Sequence, residues 1–160
     1  MPQLLTVEIL IEDPAWSKKR LGLQKFSEET LSFAWKYIKG KSKTRPYISI
    51  VFTDDKRVKK LNRQFRDKNK PTNVLSFQTW PDVASIPPGD IPVGDIVFAF
   101  ETVQREALEK NISFKDHLTH LMIHGFLHLC GYDHLDDEEA KIMESLEIKI
   151  LKKMGIQNPY

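Results

Sequence analysis

The chain has 160 residues, a formal net charge of +2, 41% hydrophobic and 29% charged residues. That length suits one globular domain, 1–160, able to bury a substantial core without disulfide or metal staples, and the balance excludes disordered and fibrous classes. Its longest apolar stretches, 91–100 and 121–130, are too short and too interrupted to cross a bilayer. The opening MPQLLTVEILIED lacks a basic n-region and carries Glu8 and Glu12, so it reads as a strand and not a signal peptide. Cys130 is the only cysteine, which excludes an internal disulfide and suggests a reducing, cytoplasmic home.

In chain order, residues 3–11 alternate as a first strand, and Asp13-Pro14 breaks the chain before a helix expected over 17–39. Residues 47–52 read as a second strand. Asp54 is the expected N-cap of a helix carrying Val58, Leu61 and Phe65 and ending near Arg66, followed by a strand over 73–77. The run WPDVASIPPGDIPVG holds four prolines and two glycines and is expected to be a loop or flap. A fourth strand, 96–100, precedes helices over 102–110 and 115–130, the latter capped by Ser113 and ended by Gly131. The last helix begins at Asp136, with Glu139 at capping-box spacing and Met143, Leu146, Ile150 and Met154 as its core stripe; Gly155 stops it. The fold class expected is α+β, a small four-stranded mixed sheet packed with about five helices.

The chemistry concentrates in HGFLHLCGYDH, residues 124–134. Histidines four apart share one helix face about 6 Å apart axially, so His124 and His128 reach a single ion. In an unbroken helix His134 would lie ~9 Å further on and off that face. Gly131 can end the helix in the left-handed conformation and turn His134 back as a third ligand. Three imidazoles leave a fourth position open, as in catalytic zinc sites, which argues for one zinc ion, although imidazole also suits nickel, copper or iron. A pairing of His120 with His124 is conceivable, but His120 and His128 are about 12 Å apart and cannot easily share an ion. Cys130 sits at another angle on the helix and reads as apolar packing. The spacing matches metzincin peptidases, yet Gly125 stands where those enzymes carry the glutamate base, which argues against the usual peptide hydrolysis.

Charge is uneven along the chain. Lys56, Arg57, Lys59, Lys60, Arg63, Arg66, Lys68 and Lys70 face Asp67 alone, a local net of +7, while residues 136–147 carry six acids against Lys141, a net of −5. Such runs are commonly solvated helix faces; the basic one also suits a polyanion.

HGFLHLCGYDH, with RDKNKPTNVLSF upstream, GDIVFAF between them and the ending NPY, closely resembles the YbeY family of metal-dependent single-strand endoribonucleases. The resemblance implies a zinc site at His124, His128 and His134, and a bacterial enzyme of ribosomal RNA maturation and ribosome quality control, especially at the small-subunit RNA 3′ end. It implies contact with a small-subunit ribosomal protein or an assembly GTPase. Arg66 matches the family's functionally important arginine and is the candidate catalytic residue, its guanidinium offsetting phosphate charge. Lys59, Arg63, Lys68 and Lys70 would track RNA phosphates; Trp80 or Phe77 could stack on a base, though core packing is the commoner role of aromatics. Asp133 and Asp95 are candidates to orient ligands, or simply cap turns. The competing readings are a metallopeptidase and a ribosome-associated RNA-binding protein with structural zinc.

Overall fold

A computed structural model describes residues 4–160, so Gln3, the first residue of the expected first strand, lies outside the described residues. The elements run β1 (Thr6–Ile11), α1 (Ala15–Lys18), α2 (Leu23–Trp35), β2 (Thr44–Thr53), α3 (Asp55–Arg66), β3 (Val74–Gln78), β4 (Gly89–Ala99), α4 (Phe100–Glu109), α5 (Phe114–Leu129) and α6 (Asp137–Lys153). Strands β1, β2 and β4 are mutually parallel and β3 joins β4 antiparallel, giving a mixed sheet of order β1-β2-β4-β3. The expected four-stranded α+β architecture is present, with six helices where five were expected.

The sixth helix comes from a break within 17–39. Arg20 and Gly22 adopt left-handed φ values of 54° and 63°, which no helix interior tolerates, so the segment divides into α1 and α2. The Pro-rich run is the second departure. Only Val83–Ser85 forms a short 3-10 turn there, while residues from Gly89 onward open the eleven-residue strand β4 beside β2. The reason lies in the register, which shifts between Tyr47, opposite Pro92, and Ile48, opposite Gly94. Val93 is therefore an extra residue, and the missing N–H of Pro92 falls at a bulge where the ladder is already interrupted. Periodicity could not reveal a strand whose alternation is broken by its own bulge.

Capping follows the residues expected of it. Asp54, Ser113 and Asp136 accept from the backbone N–H of Arg57, Asp116 and Glu139 respectively. The core gathers Trp16, Phe52, Phe98 and Phe126 among aliphatic side chains, and the Trp16 indole donates to the Thr53 carbonyl at 2.8 Å, joining α1 to the sheet. Helix α5 packs against β3 and β4 on one side and touches α2, α4 and α6. From His117 to Leu129 it is buried at every position except His124 and His128. Helix packing thus leaves α5 one window, and two of the predicted ligands occupy it.

Candidate metal centre

The end of α5 is built by its backbone. The Gly131 N–H donates to the His128 carbonyl at 3.0 Å and the Tyr132 N–H to the Leu127 carbonyl at 3.0 Å, the paired bonds of a Schellman ending. Gly131 has φ 97°, and a Cβ there would stand 2.7 Å from Asp82 Cα and 2.8 Å from the Pro81 carbonyl oxygen. The Val83 N–H donates to the Cys130 carbonyl, so the 80–86 segment lies directly on the helix end. The reversal carries His134 back, and the Asp133 carboxylate accepts from its backbone N–H at 2.8 Å.

His124, His128 and His134 each offer one ring nitrogen, and the three atoms lie within 4.8 Å of one another. Two nitrogens bound to one tetrahedral zinc stand about 3.3 Å apart. The Nε2 atoms of His124 and His128 are separated by 3.2 Å, and the rings of His128 and His134 are centred 5.1 Å apart. The donor set and its spacing fit a single cation. The alternative pairing does not form: His120 belongs to no such group among the described residues, and its Nε2 instead lies 3.5 Å from Glu147 Oε1.

Glu147, fully buried on α6, is the residue that sequence reasoning missed. Its Oε1 is 2.7 Å from His124 Nδ1. An ionised carboxylate only accepts, so Nδ1 carries the proton and the lone pair of Nε2 faces the cluster. Burial on its own would raise the Glu147 pKa, but the facing His120 ring and the hydrogen bonds from His124 and Tyr160 outweigh it and hold the carboxyl at about 2. His128 is depressed to about 4, chiefly by burial and then by the neighbouring His124 and His134, which keeps its ring neutral and able to ligate near neutral pH. The signal for Glu147 was faint but present. Met143, Glu147, Ile150 and Met154 recur at i, i+4, i+7, i+11, which sets a carboxylate on the face of α6 that turns inward.

The three histidines open into a cleft of about 600 Å³ shared with Arg66, Lys68 and Lys70. Arg66 Nη2 donates to the Ser76 carbonyl at 2.6 Å and its guanidinium lies 5.5 Å from the centre of the Phe77 ring. The arginine is exposed but braced. Lys59 and Arg63 are exposed on α3 and do not line the cleft. Phe77 is engaged with Arg66 and Phe65, and Trp80 donates its indole N–H to the Pro92 carbonyl while packing on the main core. Both aromatics are thus packed against neighbours and half-buried. Asp133 faces the cleft and braces the His134 turn, whereas Asp95 is exposed on β4, opposite Phe77 of β3. Cys130 is buried in the core, its thiol pushed up to about 12 by burial, and stands outside the ligand group. His117 is also buried; it meets the Glu106 carboxylate at 2.9 Å and links α5 to α4.

Gly125 explains the departure from the peptidase pattern. A Cβ at this position would come within 3.0 Å of Ser76 Oγ and 3.2 Å of Ile96 Cγ2. The residue after the first predicted ligand is pressed against the sheet, with no room for a glutamate.

These features define an α+β protein whose central helix and following turn present an imidazole cluster fit for one cation, beside a braced arginine in a basic cleft. The family model described as Endoribonuclease YbeY matches residues 11–155. This chain belongs to that family. It is 47% identical to the Endoribonuclease YbeY of Agrobacterium fabrum, with 98% of this chain and 95% of that protein covered, and 44% identical to the protein of the same name from Rhizobium johnstonii, over 98% and 93%. The solution structure of TM1509 from Thermotoga maritima matches with a TM-score of 0.56 at 25% identity, covering 94% of this chain and 92% of that one.

Proposed function

We propose that the protein is a zinc-dependent endoribonuclease that cuts single-stranded RNA. The observation that carries this reading is the opening of His124, His128 and His134 into the same basic cleft as Arg66. His124, His128 and His134 would hold one zinc ion, which supplies Lewis acidity toward a phosphate oxygen or a water when bound. Glu147 keeps the His124 lone pair directed at the cluster. Arg66 offers a planar fork of N–H donors to a phosphate and offsets the negative charge that grows as the phosphodiester is attacked. The bonds that brace Arg66 on Ser76 and Phe77 limit the entropy lost when it engages substrate. Lys68 and Lys70 attract the flanking phosphates within the cleft, and Lys59 and Arg63 extend the positive field along α3.

The family resemblance supports a finer reading. On it, the substrate is ribosomal RNA at the small-subunit 3′ end, the setting is ribosome maturation and quality control in the cytoplasm, and the partners are a small-subunit ribosomal protein and an assembly GTPase. No helix among the described residues is long and apolar enough to cross a membrane.

The test incubates purified protein, freed of contaminating nucleases, with defined single- and double-stranded RNAs, with and without chelator and added zinc. Cleavage confined to single strands, lost on chelation and restored by zinc, is the expected result. Cleavage indifferent to chelator would overturn the role assigned to the histidines; RNA binding without any cleavage would favour a structural zinc.

A further inference from the structure

The segment after α6 returns to the metal centre. Helix α6 ends in a second Schellman pairing, with the Gly155 N–H donating to the Lys152 carbonyl at 3.1 Å and the Ile156 N–H to the Leu151 carbonyl at 2.9 Å. The chain then brings Tyr160 over the buried Glu147, and the phenol donates to Glu147 Oε2 at 2.5 Å. Tyr160 is 57% exposed while Glu147 is 0% exposed, so a mostly solvated side chain reaches in to a fully buried carboxylate. Its ring meets His120 edge to face, with centroids 5.5 Å apart.

The two oxygens of Glu147 are therefore engaged on opposite duties. Oε1 faces His124 Nδ1, with His120 Nε2 at 3.5 Å, and Oε2 accepts from Tyr160. Rotation of the carboxylate about its last bond would break the contacts at both oxygens together. Without the phenol, one oxygen of a buried anion would have no donor, and the group would gain freedom to turn away from His124. An outer partner of a ligand-orienting carboxylate controls how well the ligand is presented even though it never touches the ion.

We infer that Tyr160 is a positioning residue for the proposed metal centre, acting through the Glu147 carboxylate on His124. This inference rests on the metal-centre reading above. It assigns a role in ion retention to a residue outside the ligand group and 26 positions beyond His134 in the chain.

The experiment compares wild-type protein with Tyr160→Phe and Tyr160→Leu. Three readouts are taken: Zn²⁺ affinity by competition with a chelator, the visible spectrum on titration with Co²⁺, and the melting temperature of the metal-free proteins. Tyr160→Phe keeps the ring against His120 and removes only the hydroxyl. It is expected to weaken Zn²⁺ binding by about tenfold and to alter the Co²⁺ spectrum, while the metal-free protein still melts cooperatively at a somewhat lower temperature because the buried Oε2 has lost its donor. Tyr160→Leu is expected to weaken binding at least as much. Wild-type affinity in Tyr160→Phe overturns the inference, even if Tyr160→Leu binds poorly, because the ring and not the hydroxyl would then be responsible. A wild-type Co²⁺ spectrum in Tyr160→Phe also overturns it, since the lost hydroxyl would then have served the fold without touching the geometry at the ion. Wild-type protein that takes up neither ion overturns the metal centre itself, and this inference with it.

Discussion

The Ser76 hydroxyl donates to the Gly125 carbonyl at 3.0 Å, tying strand β3 to helix α5 one residue past the first predicted ligand. The carbonyl of the same serine accepts from Arg66. One residue thus relates the arginine to the histidine helix, and the spacing between cation site and guanidinium depends on how closely β3 and α5 approach.

That approach makes position 125 intolerant. Gly125→Ala inserts a methyl group at 3.0–3.4 Å from Ser76, Ile96 and Val74, and is expected to cost about 1–3 kcal/mol of stability in denaturant titration. Gly125→Glu, which restores the peptidase spelling, is expected to destabilise further and to gain no caseinolytic activity. Stable protein with chelator-sensitive casein cleavage would contradict this account.

The turn into His134 is sensitive for a different reason. Gly131→Ala meets both a left-handed φ of 97° and a collision with the backbone of the 80–86 segment. The strained backbone alone costs roughly 1–3 kcal/mol. Because the turn delivers the third predicted ligand, zinc affinity should fall along with the denaturation midpoint. Unchanged affinity in a folded Gly131→Ala protein would mean that His134 is not held by this reversal.

On the proposed function, Arg66 separates binding of the ion from chemistry on the substrate. Arg66→Ala should leave the zinc content at the wild-type level and lower the turnover of single-stranded RNA about 10²–10³-fold. Arg66→Lys should recover little of it, since an ammonium cannot reproduce the planar fork or lie against Phe77 in the same way. Wild-type turnover in Arg66→Ala would remove the electrostatic role.

Acid should unfold the metal-free protein in two stages. His128 is depressed from 6.5 to about 4, so the unfolded chain takes up that proton first; its contribution to stability is full above about 6.5 and is lost as pH falls toward 4. Glu147, held at about 2 against 4.5 when unperturbed, adds stability above about 4.5 that disappears as pH falls through 2. Melting temperature measured against pH should decline through both ranges, and His128→Gln should flatten the upper one. A wild-type profile level between about pH 6.5 and 4 would contradict the buried, neutral His128.

Much of this centre is legible in the linear order of residues because its information is local. Helical periodicity relates His124 to His128, and a glycine's freedom at φ 97° lets His134 return; both act within eleven residues. The helix caps at Asp54, Ser113 and Asp136 are local in the same sense. Where the expectation failed, the controlling partner was either a single backbone conformation or a distant strand. A left-handed Arg20 divides the 17–39 helix, and the bulge opposite Tyr47 lets a proline-rich stretch lengthen β4.

Residue order alone determined the histidine trio, the absence of a neighbouring glutamate, and the basic character of the helix ending at Arg66, since these depend on residue type and on spacings shorter than one element. Tertiary structure decided what acts upon them. It brought Glu147 from α6 to His124 and Tyr160 from the segment beyond to Glu147, seated Arg66 on β3, and packed Phe77 and Trp80 against their neighbours. A hydrogen bond between residues 23 or 13 positions apart leaves no periodic trace, because its geometry exists only once the helices have packed against one another.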